Sequence, residues 1–120
     1  MTTSDNSKKH ADLEKNIGHV PKVFKSLADS NPKMHDAILE MDNFVWADGA
    51  LSRKQKKLIA VSIAAALRDT HAVRAQLAGA KALGITLDEV DEALRVAFML
   101  SGMPAYAQGR SAAEDVFLKS

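Results

Sequence analysis

Residues 49–67 read GALSRKQKKLIAVSIAAAL. Ser52 followed three residues later by Gln55 is the pattern in which a hydroxyl caps a helix start and the glutamine side chain bonds back to the cap. From Leu58 to Leu67 the run is apolar nearly all round, so a helix there has little to offer water and belongs at the centre of a bundle. The stretch therefore predicts a capped, buried central helix, and the neighbouring segments are read by how they pack around it.

Downstream, that helix should end near Arg68, where Asp69 can cap a helix running through Ala72, Ala75, Ala80 and Leu83 to a stop at Gly84. Thr86 and Glu89 form a second capping box, for a helix with Val90, Ala93, Leu94, Ala97 and Phe98 that Gly102 stops. Pro104 then starts a last helix that packs Ala105, Gly109, Ala112 and Val116, with Tyr106, Ala113 and Phe117 beside them. Upstream, Pro21 suits the first residue of a short helix with the stripe Val20, Val23, Phe24 and Leu27, and Asn31-Pro32 opens another. This one carries Met34, Ile38, Met41 and Val45 on one side, is widened by Leu39 and Trp46, and is ended by Gly49 as a left-handed terminator. No run alternates apolar and polar residues at period two, so the prediction is all-α: one domain over residues 11–120, a bundle of about six helices, behind a flexible polar tail over residues 1–10.

Composition narrows the function. Sixteen basic and fifteen acidic residues leave a formal charge of +1, which supplies no field to attract nucleic acid or an anionic membrane. The chain has no cysteine, which removes disulfides, thiolate catalysis and cysteine metal sites together. No secretory leader pattern stands at the N-terminus and no apolar run approaches the roughly 20 residues of a membrane span, so a cytoplasmic protein is expected. His10, His19, His35 and His71 are scattered without helical ligand spacing, and no metal or cofactor is predicted.

The order of the LSR-start helix, the AGAKALGITLDEV turn and the SGMPAYAQG corner resembles the carboxymuconolactone decarboxylase family, which includes the alkylhydroperoxidase-D-like proteins. The resemblance spans about residues 20–117 and implies an alkylhydroperoxidase-D-like bundle with one repeat per chain, assembled as a homo-oligomer, a hexamer or trimer of dimers. Small residues at Ala78, Gly79 and Ala80 permit close approach between neighbours. In the thiol branch a glutamate, a Cys-x-x-Cys and a histidine converge at the helix corner. Laid on that pattern, this chain has Lys57 for the glutamate, Asp69 and Ala72 for the cysteines and Gln76 for the histidine. Thiol peroxidase chemistry therefore does not carry over.

What remains are polar candidates. Lys57 could bind a small organic anion, with Asp69 or His71 moving a proton, or the same residues could be an ion pair and a helix cap. Gln76 could hydrogen-bond a ligand but cannot transfer protons at ordinary pH. The cations Arg53, Lys54, Lys56 and Lys57 crowd a helix N-terminus, whose dipole repels them, so an anion is expected there: a ligand, a neighbouring subunit or Asp48. Met34, Met41, Met99 and Met103 with Trp46, Phe98 and Tyr106 could line an apolar pocket or simply fill the core. Two functions follow: a cofactor-independent decarboxylase or isomerase acting on a small organic acid or lactone, or a non-catalytic oligomeric protein that binds small molecules or serves as a scaffold.

Overall fold

The computed structural model describes residues 8–11, 14 and 22–119. From Lys22 onward it is helical: α1 (Lys22–Ser30), α2 (Pro32–Trp46), α3 (Arg53–Ala66), α4 (Thr70–Ala82), α5 (Leu87–Ser101) and α6 (Met103–Leu118). No strand occurs among the described residues. Val20, Pro21, His19 and most of the expected tail lie outside them.

The local signals act where the residues place them. Ser52 accepts from the backbone N–H of Gln55 while the Gln55 side chain takes the Ser52 N–H, and Thr86 and Glu89 repeat the arrangement at α5. Asp69 accepts from the N–H of Ala72 at 3.0 Å and starts α4. Gly84 and Gly102 adopt left-handed backbone after α4 and α5, the region open to glycine without steric penalty. Gly49 does not: α2 ends at an extended Ala47, and its last carbonyls, Val45 and Ala47, accept from the Lys56 ammonium at 2.8 and 2.6 Å. A lysine does there what a terminating glycine was expected to do.

Helices α3 to α6 form the bundle, with α3 packed on α4, α5 and α6. Its core is Val61, Leu77, Ala80, Val90, Leu94 and Ala113, all fully buried, each large side chain contributing about 1.5–3 kcal/mol. Of the predicted α4 stripe, Ala80 is fully buried and Ala72 and Leu83 pack half-buried against the core, while Val73 and Leu77, outside that stripe, are buried beside them. An alanine-rich helix has several equally apolar faces, and its two bulky residues decide which one turns inward. Helix α3 is central as expected, yet Ile59, Ile63 and Leu67 stand exposed on its outer side.

Helices α1 and α2 pack mainly against each other and form an arm beside the bundle. The predicted apolar face of α2 turns in only in part: Leu39 is buried and Ile38 and Trp46 are half-buried, while Met34, Met41 and Val45 face out and His35 is buried in addition. His35 is held by His10, far away in sequence, and by its neighbour Asp36. Its Nε2 lies 2.9 Å from His10 Nε2, its Nδ1 lies 3.0 Å from Asp36 Oδ1, and the same oxygen accepts from Lys9.

Burial, then His35 and Lys25, depress the pKa of His10 below the ordinary histidine value. A histidine with a depressed folded pKa favours the folded state when neutral, so its docking is complete above about pH 6.5 and weakens as pH falls through that value. Amide exchange over residues 8–11, corrected for intrinsic rates, should thus be faster near about pH 5 than near about pH 7.5. Equal protection at both would show that the histidine contact does not hold this segment.

Candidate functional site

Lys57 is one turn into α3 and fully buried, although it carries an ammonium group. Two helices receive it. From α4, Gln76 Oε1 accepts from Lys57 Nζ at 2.8 Å, and Gly79 leaves the space the lysine stem occupies: a Cβ there would lie 3.1 Å from Nζ and 3.2 Å from Cε. From α2, the Trp46 ring lies under the ammonium, its centroid 4.2 Å from Nζ, a cation–π arrangement. The indole N–H of Trp46 donates to Asp42 Oδ1 at 3.0 Å, which orients both residues.

Burial lowers the Lys57 pKa from 10.5 to about 8; the Asp42 carboxylate pulls it up in part, and the Arg53 guanidinium pushes it further down. An amine in that range is present in both protonation states near neutral pH and can donate or accept a proton. Gln76 spends its oxygen on Lys57, which leaves its amide N–H groups as donors. Around one buried amine the arrangement thus combines a titrating cation, an amide donor and an aromatic wall.

The structure brings together Lys57, Gln76 and Trp46 of the predicted site residues. Asp69 is exposed at the start of α4 and caps it, and His71 is exposed in its first turn. Lys57 meets α4 at Gln76 and Gly79, about 10 Å along the helix axis from Asp69. Tyr106 belongs to a different cluster. Its hydroxyl donates to Asp91 Oδ1 at 2.7 Å, the same oxygen accepts from Arg110, and Arg95 bonds the other. These bonds hold the Asp91 carboxyl below its usual range, Tyr106 contributing most, and they tie α5 to α6.

Two residues of the site were not assigned to it from the sequence, Asp42 and Gly79, the latter read only as a small residue for subunit contact. Asp42 is the anion acting on Lys57, and its signal was the four-residue spacing to Trp46 on one helix. Gly79 makes the room, three residues beyond Gln76 on the same face of α4. The anion at the start of α3 is Asp48, whose carboxylate accepts from the Arg53 N–H at 2.6 Å. The methionines do not share a pocket. Met34 and Met41 line a shallow groove on α2 with Ala37, Ile38 and Asp42, and Met99 and Met103 are exposed at the far end of the bundle.

Among the described residues no three His, Cys, Asp or Glu side chains converge as a metal site, and no helix is long and apolar enough to cross a membrane. The carboxymuconolactone decarboxylase family model matches residues 32–115, from the first residue of α2 almost to the end of α6. The chain belongs to that family. It is 35% identical over 93 residues to an uncharacterized protein of Methanocaldococcus jannaschii, covering 77% of this chain and 89% of that one. It is 31% identical over 96 residues to an uncharacterized protein of the cox locus of Paracoccus denitrificans, covering 78% and 86%. The crystal structure of a candidate carboxymuconolactone decarboxylase from Burkholderia xenovorans LB400 superposes with a TM-score of 0.76 at 28% identity, over 93% of this chain and 89% of that one. The matched family region contains Asp42, Trp46, Lys57, Gln76 and Gly79. The chain contains no cysteine and so supplies no thiolate of its own.

Proposed function

We propose that the protein is a cofactor-independent enzyme of decarboxylase or isomerase type, acting on a small organic acid or lactone with Lys57 as its acid–base group. The observation that carries this reading is a fully buried lysine, with a pKa of about 8, bonded to Gln76. Lys57 displaces Asp69 and His71 as the proton-transfer candidate, because those two stand exposed at the start of α4. Trp46 and Gln76, the two side chains against the amine, are both half-buried.

In this reading the substrate carboxylate loses CO2 as its C–C bond breaks, and the electron pair remains on the conjugated lactone as an enolate. The Lys57 ammonium donates a proton to that carbon and is reprotonated from water. Gln76, through its free amide N–H groups, holds the carbonyl oxygen on which negative charge develops. Trp46 keeps water away and supplies a flat surface for a planar lactone.

A second reading, binding without turnover, is favoured by the closure of the site: Lys57 is fully buried and already has Gln76 and Asp42 as partners. Turnover assays separate the two, using small lactone carboxylates and reading lactone absorbance together with CO2 release. The enzyme reading expects activity that falls as pH rises through about 8, since the donor must be protonated, and that is lost in Lys57→Met. Calorimetric binding without release of CO2 from any member of the panel would replace it with the binding reading.

A further inference from the structure

The surroundings of Lys57 suit a second kind of chemistry. Its Nζ is the tip of a fully buried side chain, and the groups around it serve a cation on nitrogen. The Trp46 ring centroid lies 4.2 Å from Nζ, Gln76 Oε1 accepts from it at 2.8 Å, and the Asp42 carboxylate favours the charged form. None of these contacts requires the cation to be an ammonium. A protonated imine on the same atom keeps one N–H for Gln76 and a positive charge for the indole face. The fold also gives up helix stability at this atom. Gly79 stands inside α4, where alanine is favoured by about 1 kcal/mol, yet a Cβ there would lie 3.1 Å from Nζ and 3.2 Å from Cε. The room that a methyl would take is room that a carbon bonded to Nζ needs.

Burial also makes this nitrogen a nucleophile. It brings the pKa down from 10.5 to about 8, with Asp42 of α2 opposing and Arg53 of α3 adding, so a fraction of the amine is neutral at neutral pH. A desolvated neutral lysine is the side chain that attacks a carbonyl carbon. Attack requires Nζ to be uncovered. Trp46, one of its covers, ends α2, and among the described residues α2 packs mainly against α1, so this wall is carried by the arm and not by the bundle.

We infer that Lys57 also acts as a covalent nucleophile, forming a protonated imine with the ketone of a β-keto acid and releasing CO2 from it. This chemistry rests on Lys57 being the reactive group of the site, as proposed above, and adds a covalent role and a substrate class. The electron pair of the neutral amine forms a bond to the ketone carbon, and the ketone oxygen takes up protons and leaves as water. The bond to the carboxylate carbon then breaks, CO2 departs, and the electron pair flows into the imine to give a neutral enamine. A proton from water adds to the enamine carbon, and a second water hydrolyses the imine, returning the ketone and the amine. Gln76, through its amide N–H groups, donates to the ketone oxygen as charge develops on it. The Trp46 face stabilises the iminium that draws in the electrons.

The test uses the full chain with acetoacetate, a β-keto acid, and cyanoborohydride, which reduces an iminium to a stable amine. Peptide mass mapping is expected to find an isopropyl group on Lys57, the acetoacetate skeleton without its carboxylate. Without reductant, acetoacetate should be consumed at least about tenfold faster than in buffer or with Lys57→Met. Its consumption should rise about twentyfold from about pH 6.5 to about pH 8.5, following the neutral amine, the opposite of the trend for proton donation to a lactone. Mapping of wild type locates the adduct by itself, so the result does not depend on the variant folding. An unmodified Lys57, an adduct that keeps the carboxylate, or equal consumption by Lys57→Met overturns the inference. A decarboxylated Lys57 adduct without turnover of any lactone acid keeps it and removes the lactone reading; lactone turnover with Lys57 unmodified does the reverse.

Discussion

Lys57→Met is expected to stabilise the protein by about 1–2 kcal/mol at about pH 7, and to lose that gain by about pH 10.5. The buried ammonium is disfavoured in the fold, which is why its pKa stands at about 8 instead of 10.5. That displacement corresponds to about 3 kcal/mol. Methionine fills nearly the same length between Trp46 and Gly79 and carries no charge, at the loss of about 1 kcal/mol for the bond to Gln76.

The pH dependence has a definite sign. Between about pH 8 and about pH 10.5 the unfolded chain still holds the Lys57 proton that the folded chain has released, so wild-type stability rises with pH across that window. Below about pH 8 the full penalty is present, and above about pH 10.5 it is gone. The variant has no such rise, and the difference between the two urea-unfolding free energies isolates Lys57 from every other titrating group. A variant less stable than wild type by the same amount at every pH would mean that folding leaves the Lys57 proton affinity unchanged, and that its packing and hydrogen bond, not its charge, are what the fold uses. A more stable protein that no longer binds or turns over a lactone acid is the expected signature of a functional group kept at the expense of stability.

Leu94→Ala is expected to destabilise by about 3–4 kcal/mol, and Gly109→Ala by about 1–3 kcal/mol, with the double variant falling short of the sum by about 1–2 kcal/mol. Leu94 is fully buried on α5 and faces Gly109 on α6; a methyl at position 109 would lie 2.6 Å from one Leu94 Cδ and 3.4 Å from the other. Two buried atoms cannot share that space, so the single glycine change must push α5 and α6 apart or force Leu94 out of its rotamer. Removing Leu94 opens a cavity at the same point, and the added methyl then fills part of it. The gain in helix propensity from glycine to alanine, about 1 kcal/mol, is small beside the clash. Strict additivity in urea unfolding would show that α5 and α6 are not in this close contact.

The site was half legible in the residues. Lys57 and Gln76 could be singled out because the family resemblance aligned them, and the fold places them 2.8 Å apart. Asp69 and His71 looked reactive because they open a helix, yet their position at its exposed end leaves the buried amine to Lys57. The charge run around Lys56 looked frustrated because a linear reading counts the dipole of α3 alone. In three dimensions Lys56 is placed against the carbonyl end of α2, where a cation is favoured.

By itself the sequence determined the helices and their ends: the Ser52–Gln55 and Thr86–Glu89 boxes, the Asp69 cap and the stops at Gly84 and Gly102 are bonds and backbone conformations made within a few residues. The tertiary structure decided which face of each helix turns inward and which side chains meet across helices, as with His10 and His35, Asp91 with Tyr106 and Arg110, and Lys57 with Gln76. The physical reason is that helical period reveals an apolar stripe but not what covers it. On α2, Leu39 of the predicted apolar face is buried while Met34, Met41 and Val45 are exposed, because burial is a property of two surfaces and helical period shows only one of them.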